Sequence, residues 1–321
     1  MTFWLGKSVL VAGGAGFVGH HLVEALLHQQ AQVHVVDNLS TGRDNRLTRL
    51  LAQFHNRLSL EVCDVVDVSE FPKAYVVFNL ASPASPIHYQ ADPIATWKTN
   101  VIGTMRLIEH AVAQDACFVQ ASTSEVYGDP LSHPQRETDW GNVNPIGVRA
   151  CYDEGKRAAE ALLMDAVRVH DANVRIARIF NTYGPGMDHA DGRAIPNFVA
   201  QASLRQPLTL CGDGSQTRSF CYISDTVSGL LKLAEVPEAR GEVINIGNPH
   251  EVTIKEIADH LNRIMENPAG TVTTPERPDD PVRRCPDIDK ARRILGWAPE
   301  VALDEGLRSL LRADHPALVG T

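Results

Sequence analysis

Tyr152 and Lys156 stand four residues apart in Cys151-Tyr152-Asp153-Glu154-Gly155-Lys156, and near the start of the chain runs Gly13-Gly14-Ala15-Gly16-Phe17-Val18-Gly19. Side chains at i and i+4 share one face of a helix. A tyrosine, with an ordinary pKa of about 10, is a poor base at neutral pH. A neighbouring ammonium favours the phenolate and lowers that value. The pair therefore reads as a proton-handling unit, with Lys156 also able to hold a ribose. The glycine run reads as a dinucleotide cradle. One glycine permits a tight turn, one lets the backbone approach a pyrophosphate, and one lets the following helix pack on the sheet. The helix start then offers unpaired N–H groups to phosphate. Either feature alone is common; together they point to transfer of a hydride and a proton at one carbon.

Further groups fall where such a site needs them. Asp37 ends the second expected strand, at the usual offset for an acid that accepts hydrogen bonds from the adenosine ribose hydroxyls. Its charge favours NAD over NADP, and nearby Arg43 would soften the repulsion of a 2′-phosphate. Asp64-Val65 follows the third strand and is a candidate adenine contact. Leu80-Ala81-Ser82 closes the fourth strand at the carboxyl edge, where ligands bind in such sheets. Ala121-Ser122-Thr123-Ser124-Glu125 closes the fifth, and Thr123 is a candidate to orient the substrate hydroxyl, although serine and threonine also close turns.

Alternating apolar strands and amphipathic helices must position these groups. Strands are expected at Ser8–Ala12, Gln32–Asp37, Leu58–Cys63, Ala74–Ala81, Cys117–Ala121 and Asn173–Ile179. Helices are expected from about Gly16 to Gln30, as one long element from Asp92 to Gln114, and from Arg149 to Val169. This order implies an α/β, Rossmann-like, doubly wound parallel sheet with right-handed crossovers. Residues 1–180 would form the dinucleotide-binding domain, the sheet being rejoined by about 220–248 through a strand at Val243–Gly247. Residues 181–321 would mainly form a smaller α/β substrate domain. Prolines at 275, 278, 281 and 286 exclude a helix or central strand from Thr274 to Asp287, a stretch expected to lie over the site.

The composition bounds the function. The 321 residues are 44% apolar and carry a formal net charge of -9, which argues against a general nucleic-acid or membrane-surface binder. The six cysteines are scattered without a Cys-x-x-Cys pair, suiting neither a disulfide framework nor a zinc site but fitting reduced thiols in a cytoplasm. The start of the chain shows neither a signal peptide nor a membrane anchor. His20 and His21 are expected to face different directions and not to ligate metal. Metal-hydrolase, nucleophile-elbow and P-loop signatures do not occur.

Beyond these physical readings, the chain resembles the extended short-chain dehydrogenase/reductase superfamily that acts on nucleotide sugars, and within it the UDP-glucuronate decarboxylase family. The resemblance runs over nearly the whole chain. It rests on the glycine run, Asn-Leu-Ala-Ser-Pro-Ala-Ser-Pro (79–86), Ala-Ser-Thr-Ser-Glu-Val-Tyr-Gly-Asp-Pro (121–130), Cys-Tyr-Asp-Glu-Gly-Lys-Arg (151–157), Arg-Ile-Phe-Asn-Thr-Tyr-Gly-Pro (178–185), Asp-Gly-Arg (191–193) and Gly-Ser-Gln-Thr-Arg (214–218). It implies NAD as cofactor, held by Gly13, Gly16, Phe17, Val18, Gly19, Asp37, Asn38, Thr41, Gly42, Asp64, Val65, Leu80, Ala81, Ser82, Asn100, Ser122, Tyr152 and Lys156. It implies a UDP-sugar held by Lys98, Asn181, Arg193, Arg218 and Arg284, and a homodimer paired through the helices near 92–114 and 150–169. Gly186, where a bulkier basic residue is expected, and Cys285, in place of a lysine, depart from the pattern.

The implied chemistry is decarboxylation of UDP-glucuronate to UDP-xylose with internal recycling of NADH and no metal. Oxidation at C4, in which NAD takes the hydride and Tyr152 the proton with Lys156 and Thr123 assisting, makes a 4-keto intermediate that is a β-keto acid; carbon dioxide leaves, C5 is protonated and NADH reduces C4 again. Glu125 is expected to repel the substrate carboxylate and position water at C5, and Arg284 to engage the carboxylate or ring. Two other functions share these residues: UDP-glucuronate 4-epimerase, which keeps the carboxylate, and a non-catalytic NAD-binding regulatory protein.

Overall fold

Short runs of valine, leucine, isoleucine and alanine, buried on both faces, give the computed structural model its central sheet. It describes residues 3–42, 44–188, 192–275 and 283–314. The first half alternates strand and helix: β1 (Ser8–Ala12), α1 (Phe17–His28), β2 (Gln32–Asp37), α2 (Asp44–Gln53), β3 (Leu58–Val62), β4 (Val76–Asn79), α3 (Pro86–Ala91), α4 (Pro93–Lys98), α5 (Thr104–Ala113), β5 (Cys117–Thr123), α6 (Ala150–His170) and β6 (Val174–Ile179). The second half supplies β7 (Thr182–Tyr183), α7 (Ala194–Ser203), β8 (Leu208–Cys211), β9 (Thr217–Ser219), β10 (Cys221–Tyr222), α8 (Ile223–Glu235), β11 (Val243–Ile246), β12 (Glu251–Thr253), α9 (Ile254–Ile264), β13 (Thr271–Thr274), α10 (Asp289–Leu295) and α11 (Leu303–Asp314). The strand order is β3-β2-β1-β4-β5-β6-β11, and every pairing is parallel. The order reverses at β1/β4, which opens a crevice for a ligand at the carboxyl edge.

Strand alternation splits the core into two layers. Val9 and Val11 face one side, packed with α1 and α8 through Leu22, Leu26 and Leu230. Leu10 and Ala12 face the other, packed with α5 and α6 through Leu107 and Leu163. A third cluster, built from α7, α9 and α11 with Phe198, Leu261 and Leu307, stands beyond the sheet.

The structure departs from the sequence expectations in two places. The single helix expected from Asp92 to Gln114 is α4, a π turn over Thr99–Gly103, and α5. Asp92 caps α4 by accepting from the Ala95 N–H at 2.9 Å, and Pro93 occupies the first turn. Helices α2 and α3 were not expected. Between 220 and 248 the chain runs through the helix α8 and then β11, which joins the sheet beside β6 where a strand was expected. Of the proline-rich stretch, 276–282 lie outside the described residues, while Arg284, Cys285 and Pro286 are buried.

Candidate active site

The glycine turn has the contacts a cofactor cradle needs. Gly13 has φ +80°, and a Cβ there would stand 2.6 Å from the Leu80 carbonyl carbon. A Cβ at Gly19 would meet the Gly13 oxygen at 2.1 Å, so helix and strand approach only because both positions are glycine. The α1 N-terminus at Gly16 has no side-chain cap, which leaves Phe17 and Val18 lining the cleft beside its first N–H groups. Asp37 accepts from the N–H groups of Ala15 at 2.9 Å and Leu39 at 2.8 Å. Burial raises its pKa, while those two bonds and the charge of Arg46 oppose the rise. A Cβ at Gly42 would come 2.9 Å from the Asp37 carboxylate, so the Thr41-Gly42 turn folds back on it. Asn38 donates to Asp64 at 2.7 Å, which joins the two candidate adenosine contacts. Asn100, on the π turn, is buried with both amide atoms lacking a hydrogen-bond partner, and a Cβ at Gly155 would touch it at 3.2 Å. Buried unsatisfied amides are costly and call for a ligand; with the cradle, they fit a dinucleotide.

A cleft of about 690 Å³ runs from Phe17 and Val18 past Leu80 and Ser82 to Tyr152 and the second half of the chain. Tyr152 and Lys156 project from α6, both buried. Thr123 hydrogen-bonds the Tyr152 phenol. The Lys156 ammonium lies 5.9 Å from the centre of the Tyr152 ring and donates to the Ala121 carbonyl at 2.9 Å. Here the electrostatics reverse the sequence expectation. Burial pushes Tyr152 up to about 12, against the Thr123 bond and the charge of Arg193. Burial also pushes Lys156 down to about 7, so its charge is marginal at neutral pH. The protein alone therefore keeps the proton on Tyr152.

This shift has a measurable consequence for stability. The unfolded chain keeps the Lys156 proton up to its ordinary 10.5, whereas the folded chain releases it above about 7. Between those values the unfolded state binds more protons, so each rise in pH favours folding by at most about 1.4 kcal/mol per unit. Urea unfolding of the cofactor-free protein should show stability climbing from pH 7 towards 10.5. Lys156→Met should remove this contribution to the climb; an unchanged slope would refute the shift.

A charged cluster stands next to the pair. Arg284 grips Glu125 with both terminal nitrogens, one bond measuring 2.8 Å, and Arg149 donates to the same carboxylate at 2.5 Å. Burial would raise the Glu125 pKa, but the Arg284 and Arg149 charges outweigh it and hold the carboxyl below the ordinary range. Asp153, 3.7 Å from the Arg149 Nε, is pushed up by burial first and by Glu125 second. The expected repulsion of a substrate carboxylate by Glu125 therefore gives way to a cluster in which two arginines neutralise it. Arg193 at the start of α7, Arg218 on β9 and Asn181 line the same cleft. In a chain of net charge -9, this concentration of arginine marks a site for anions.

Other positions fall elsewhere than expected. Lys98 is exposed and does not line the cleft, because α4 turns Thr96 inward and Lys98, two residues on, to the opposite face. Val65 is core, packed under Gly103. Ser122 lines the cleft while its hydroxyl donates to Glu160 at 2.6 Å, and Glu160 pairs with Arg178. Ala81 is half-buried, its N–H donating to Asn79. Arg43 lies outside the described residues. The cation beside Asp37 is Arg46 of α2, which also donates to the Gly186 carbonyl at 2.7 Å. The rings of His20 and His21 do not diverge; their centres are 4.0 Å apart, and burial pushes His20 down to about 3.

Sequence reasoning also missed Arg149 and Tyr89. Arg149 carried a signal, its i, i+4 spacing to Asp153. Tyr89 carried none. Its ring stacks on Tyr152 with centres 5.1 Å apart and planes 5° apart, and its buried hydroxyl has no hydrogen-bond partner. Tyr89→Phe should keep activity within about twofold, because removing an unpaired buried polar group costs little. Tyr89→Leu, which loses the stack, should lower kcat by about tenfold as the phenol loses its fixed pose. Equal effects from both substitutions would contradict a positioning role for the ring.

Comparison with known proteins agrees with this geometry. Residues 9–247 match the model of the NAD dependent epimerase/dehydratase family. The chain belongs to this family. It is 50% identical over 308 residues to UDP-glucuronic acid decarboxylase 4 of Arabidopsis thaliana, covering 95% of this chain and 68% of that protein. Among solved structures, an epimerase of Methanothermobacter thermautotrophicus superposes with a TM-score of 0.87 at 32% identity, covering 96% of this chain and 92% of that one. A double mutant of the dTDP-glucose 4,6-dehydratase of Streptomyces venezuelae, solved with NAD bound, superposes with a TM-score of 0.86 at 27% identity, covering 95% of each chain. Both solved structures superpose over nearly the whole chain, the doubly wound sheet included.

Proposed function

We propose that the chain is an NAD-dependent UDP-glucuronate decarboxylase that forms UDP-xylose. The observation that carries the proposal is the Arg284–Glu125–Arg149 cluster beside Tyr152 and Thr123, in a chain half identical to a UDP-glucuronic acid decarboxylase. The cradle at Gly13, Gly16 and Gly19, with Asp37 for a ribose and Asn100 near the catalytic helix, would hold NAD. When bound, NAD supplies the acceptor for the C4 hydride and returns it after decarboxylation.

The protein's own groups handle protons and charge. The positive charge that a bound nicotinamide would bring favours the phenolate, so Tyr152, steadied by Thr123 and stacked on Tyr89, gives its own proton to solvent and then takes the proton of the sugar 4-hydroxyl. Because burial resists the phenolate, this uptake of a proton is favoured as the hydroxyl is oxidised. The resulting C4 ketone stands β to the C5 carboxylate. Breaking the C5–carboxylate bond releases carbon dioxide and leaves an electron pair that the ketone oxygen accepts as an enolate. Tyr152 and Thr123 then face a developing oxyanion, which their hydroxyls stabilise by donation. One proton returns to C5. Glu125, ionised between its two arginines, is the group that would orient the donor. Arg284 shares its charge between Glu125 and the substrate carboxylate, while Arg193 and Arg218 hold the diphosphate end.

Two finer features belong to the same proposal. The described cysteines are all free thiols, which fits a reducing cytoplasm; among the described residues no helix is long and apolar enough to cross a membrane. Ile94, Trp97, Ile102 and Met105 are exposed along α4, the π turn and α5, which fits a homodimer interface. Light scattering tests the dimer. Incubation with NAD and UDP-glucuronate, followed by mass spectrometry of the nucleotide sugar, tests the function. A product lighter by one carbon dioxide is expected; a product of unchanged mass would indicate epimerisation and overturn the assignment.

A further inference from the structure

Three residues far apart in sequence meet beside the segment that carries Arg284. His133 Nε2 lies 3.1 Å from Glu251 Oε2, and these atoms and the Cys285 sulfur all lie within 4.8 Å of one another. Each is held by its surroundings. Glu251 opens β12, which pairs with β9 across Glu251 and Ser219, and the Thr217 hydroxyl donates to its other oxygen. Cys285 is fixed through its backbone: its N–H donates to the Gln135 side chain at 2.7 Å, and its carbonyl accepts from the Gln135 N–H at 2.9 Å. His133 belongs to the same segment as Gln135. Cys285 is buried, Glu251 half-buried and His133 exposed, so the cluster has a closed side and a side open to solvent.

We propose that His133, Glu251 and Cys285 form a binding site for a soft divalent cation, with zinc(II) the best match. Imidazole nitrogen, thiolate sulfur and carboxylate oxygen with one solvent-facing position is a donor set that zinc(II) takes up readily. Around such an ion the ligand atoms stand about 3–4 Å apart, so the cluster closes by roughly 1 Å. The Thr217 bond to Glu251 and the Gln135 bonds to Cys285 orient the ligands from behind. On binding, the Cys285 thiol gives its proton to solvent and its sulfur pair bonds the metal, breaking its 3.3 Å contact with the Pro249 carbonyl. Glu251 exchanges His133 for the metal, and His133 binds as the neutral imidazole. One thiolate and one carboxylate then balance the dication. The site joins β12 to the residue after Arg284, whose own carbonyl accepts from the Ser219 N–H at 3.1 Å. The metal pins the segment that delivers Arg284 to Glu125, a structural role separate from the reaction.

Cobalt(II) chloride titrated into the full chain tests this. A near-ultraviolet cobalt–thiolate charge-transfer band should appear, be displaced by zinc(II) chloride, and vanish in Cys285→Ser. His133→Gln and Glu251→Gln should each weaken cobalt binding about tenfold or more. Zinc(II) should raise the thermal midpoint of the wild type and leave that of Cys285→Ser unmoved. No band, or a full band in Cys285→Ser, would overturn the site. If Cys285→Ser does not fold, the other two variants decide: unchanged cobalt affinity in both refutes the proposal.

Discussion

Tyr152→Phe should lower kcat by about 10³-fold while leaving KM nearly unchanged. General acid–base groups of this kind contribute roughly 10²–10⁴-fold. The substitution removes one oxygen from a buried ring and keeps the stack on Tyr89, so the fold and the arginines proposed to bind substrate stay in place. Because burial holds the phenol at about 12, Tyr152 works only when aligned on its substrate, and no neighbouring group can replace it at that position. Thr123 donates a hydrogen bond but is a far weaker base. Steady-state kinetics with UDP-glucuronate measure the effect, and a loss of less than tenfold would remove Tyr152 from the proposed role.

Glu125→Ala should be the most damaging substitution for the fold around the cleft. Arg284 and Arg149 are nearly buried, with 6% and 11% of their side chains exposed, and both point at this one carboxylate. Removing the shared partner takes this carboxylate from both buried guanidiniums, with Asp153 still 3.7 Å from Arg149, and breaking such a buried pair costs about 3–5 kcal/mol. That is a large part of the 5–15 kcal/mol available to a typical domain. Adding Arg149→Gln to Glu125→Ala should recover some stability, because one of the two cations goes with it, but should not restore decarboxylation. Urea unfolding of the single and double variants checks the coupling. Purely additive losses would mean that the three side chains do not act as a unit.

The parts of the site visible in sequence are those whose requirements are local. A tight turn, a close helix and a phosphate-facing helix start need glycine at 13, 16 and 19, and the pattern shows it. The i, i+4 spacing of Tyr152 and Lys156 likewise places both on one face of α6. Other features of the site were not legible, for tertiary reasons. On α4 Thr96 turns inward, so Lys98, two residues on, faces solvent, and the π turn at Thr99–Gly103 breaks the periodicity of an otherwise continuous helix. Ser122 is claimed by Glu160, which comes from a different element. The effect of Lys156 on Tyr152 depends on how deeply both are buried, which spacing alone does not reveal. The stack of Tyr89 on Tyr152 joins a six-residue helix to α6 without any sequence signal. Helix α2, in contrast, could have been found: Leu47 and Leu50 are buried at i, i+3 spacing, and the same helix brings Arg46 to Asp37.

The central claim is that transient oxidation at C4 makes the C5–carboxylate bond breakable. Running the reaction with UDP-glucuronate and NAD in deuterium oxide tests it most directly, with the product read by proton NMR. UDP-xylose carrying one solvent deuterium at C5 and the original hydrogen at C4 is the expected result. A hexuronate that keeps its carboxylate, or solvent deuterium at C4, would contradict it.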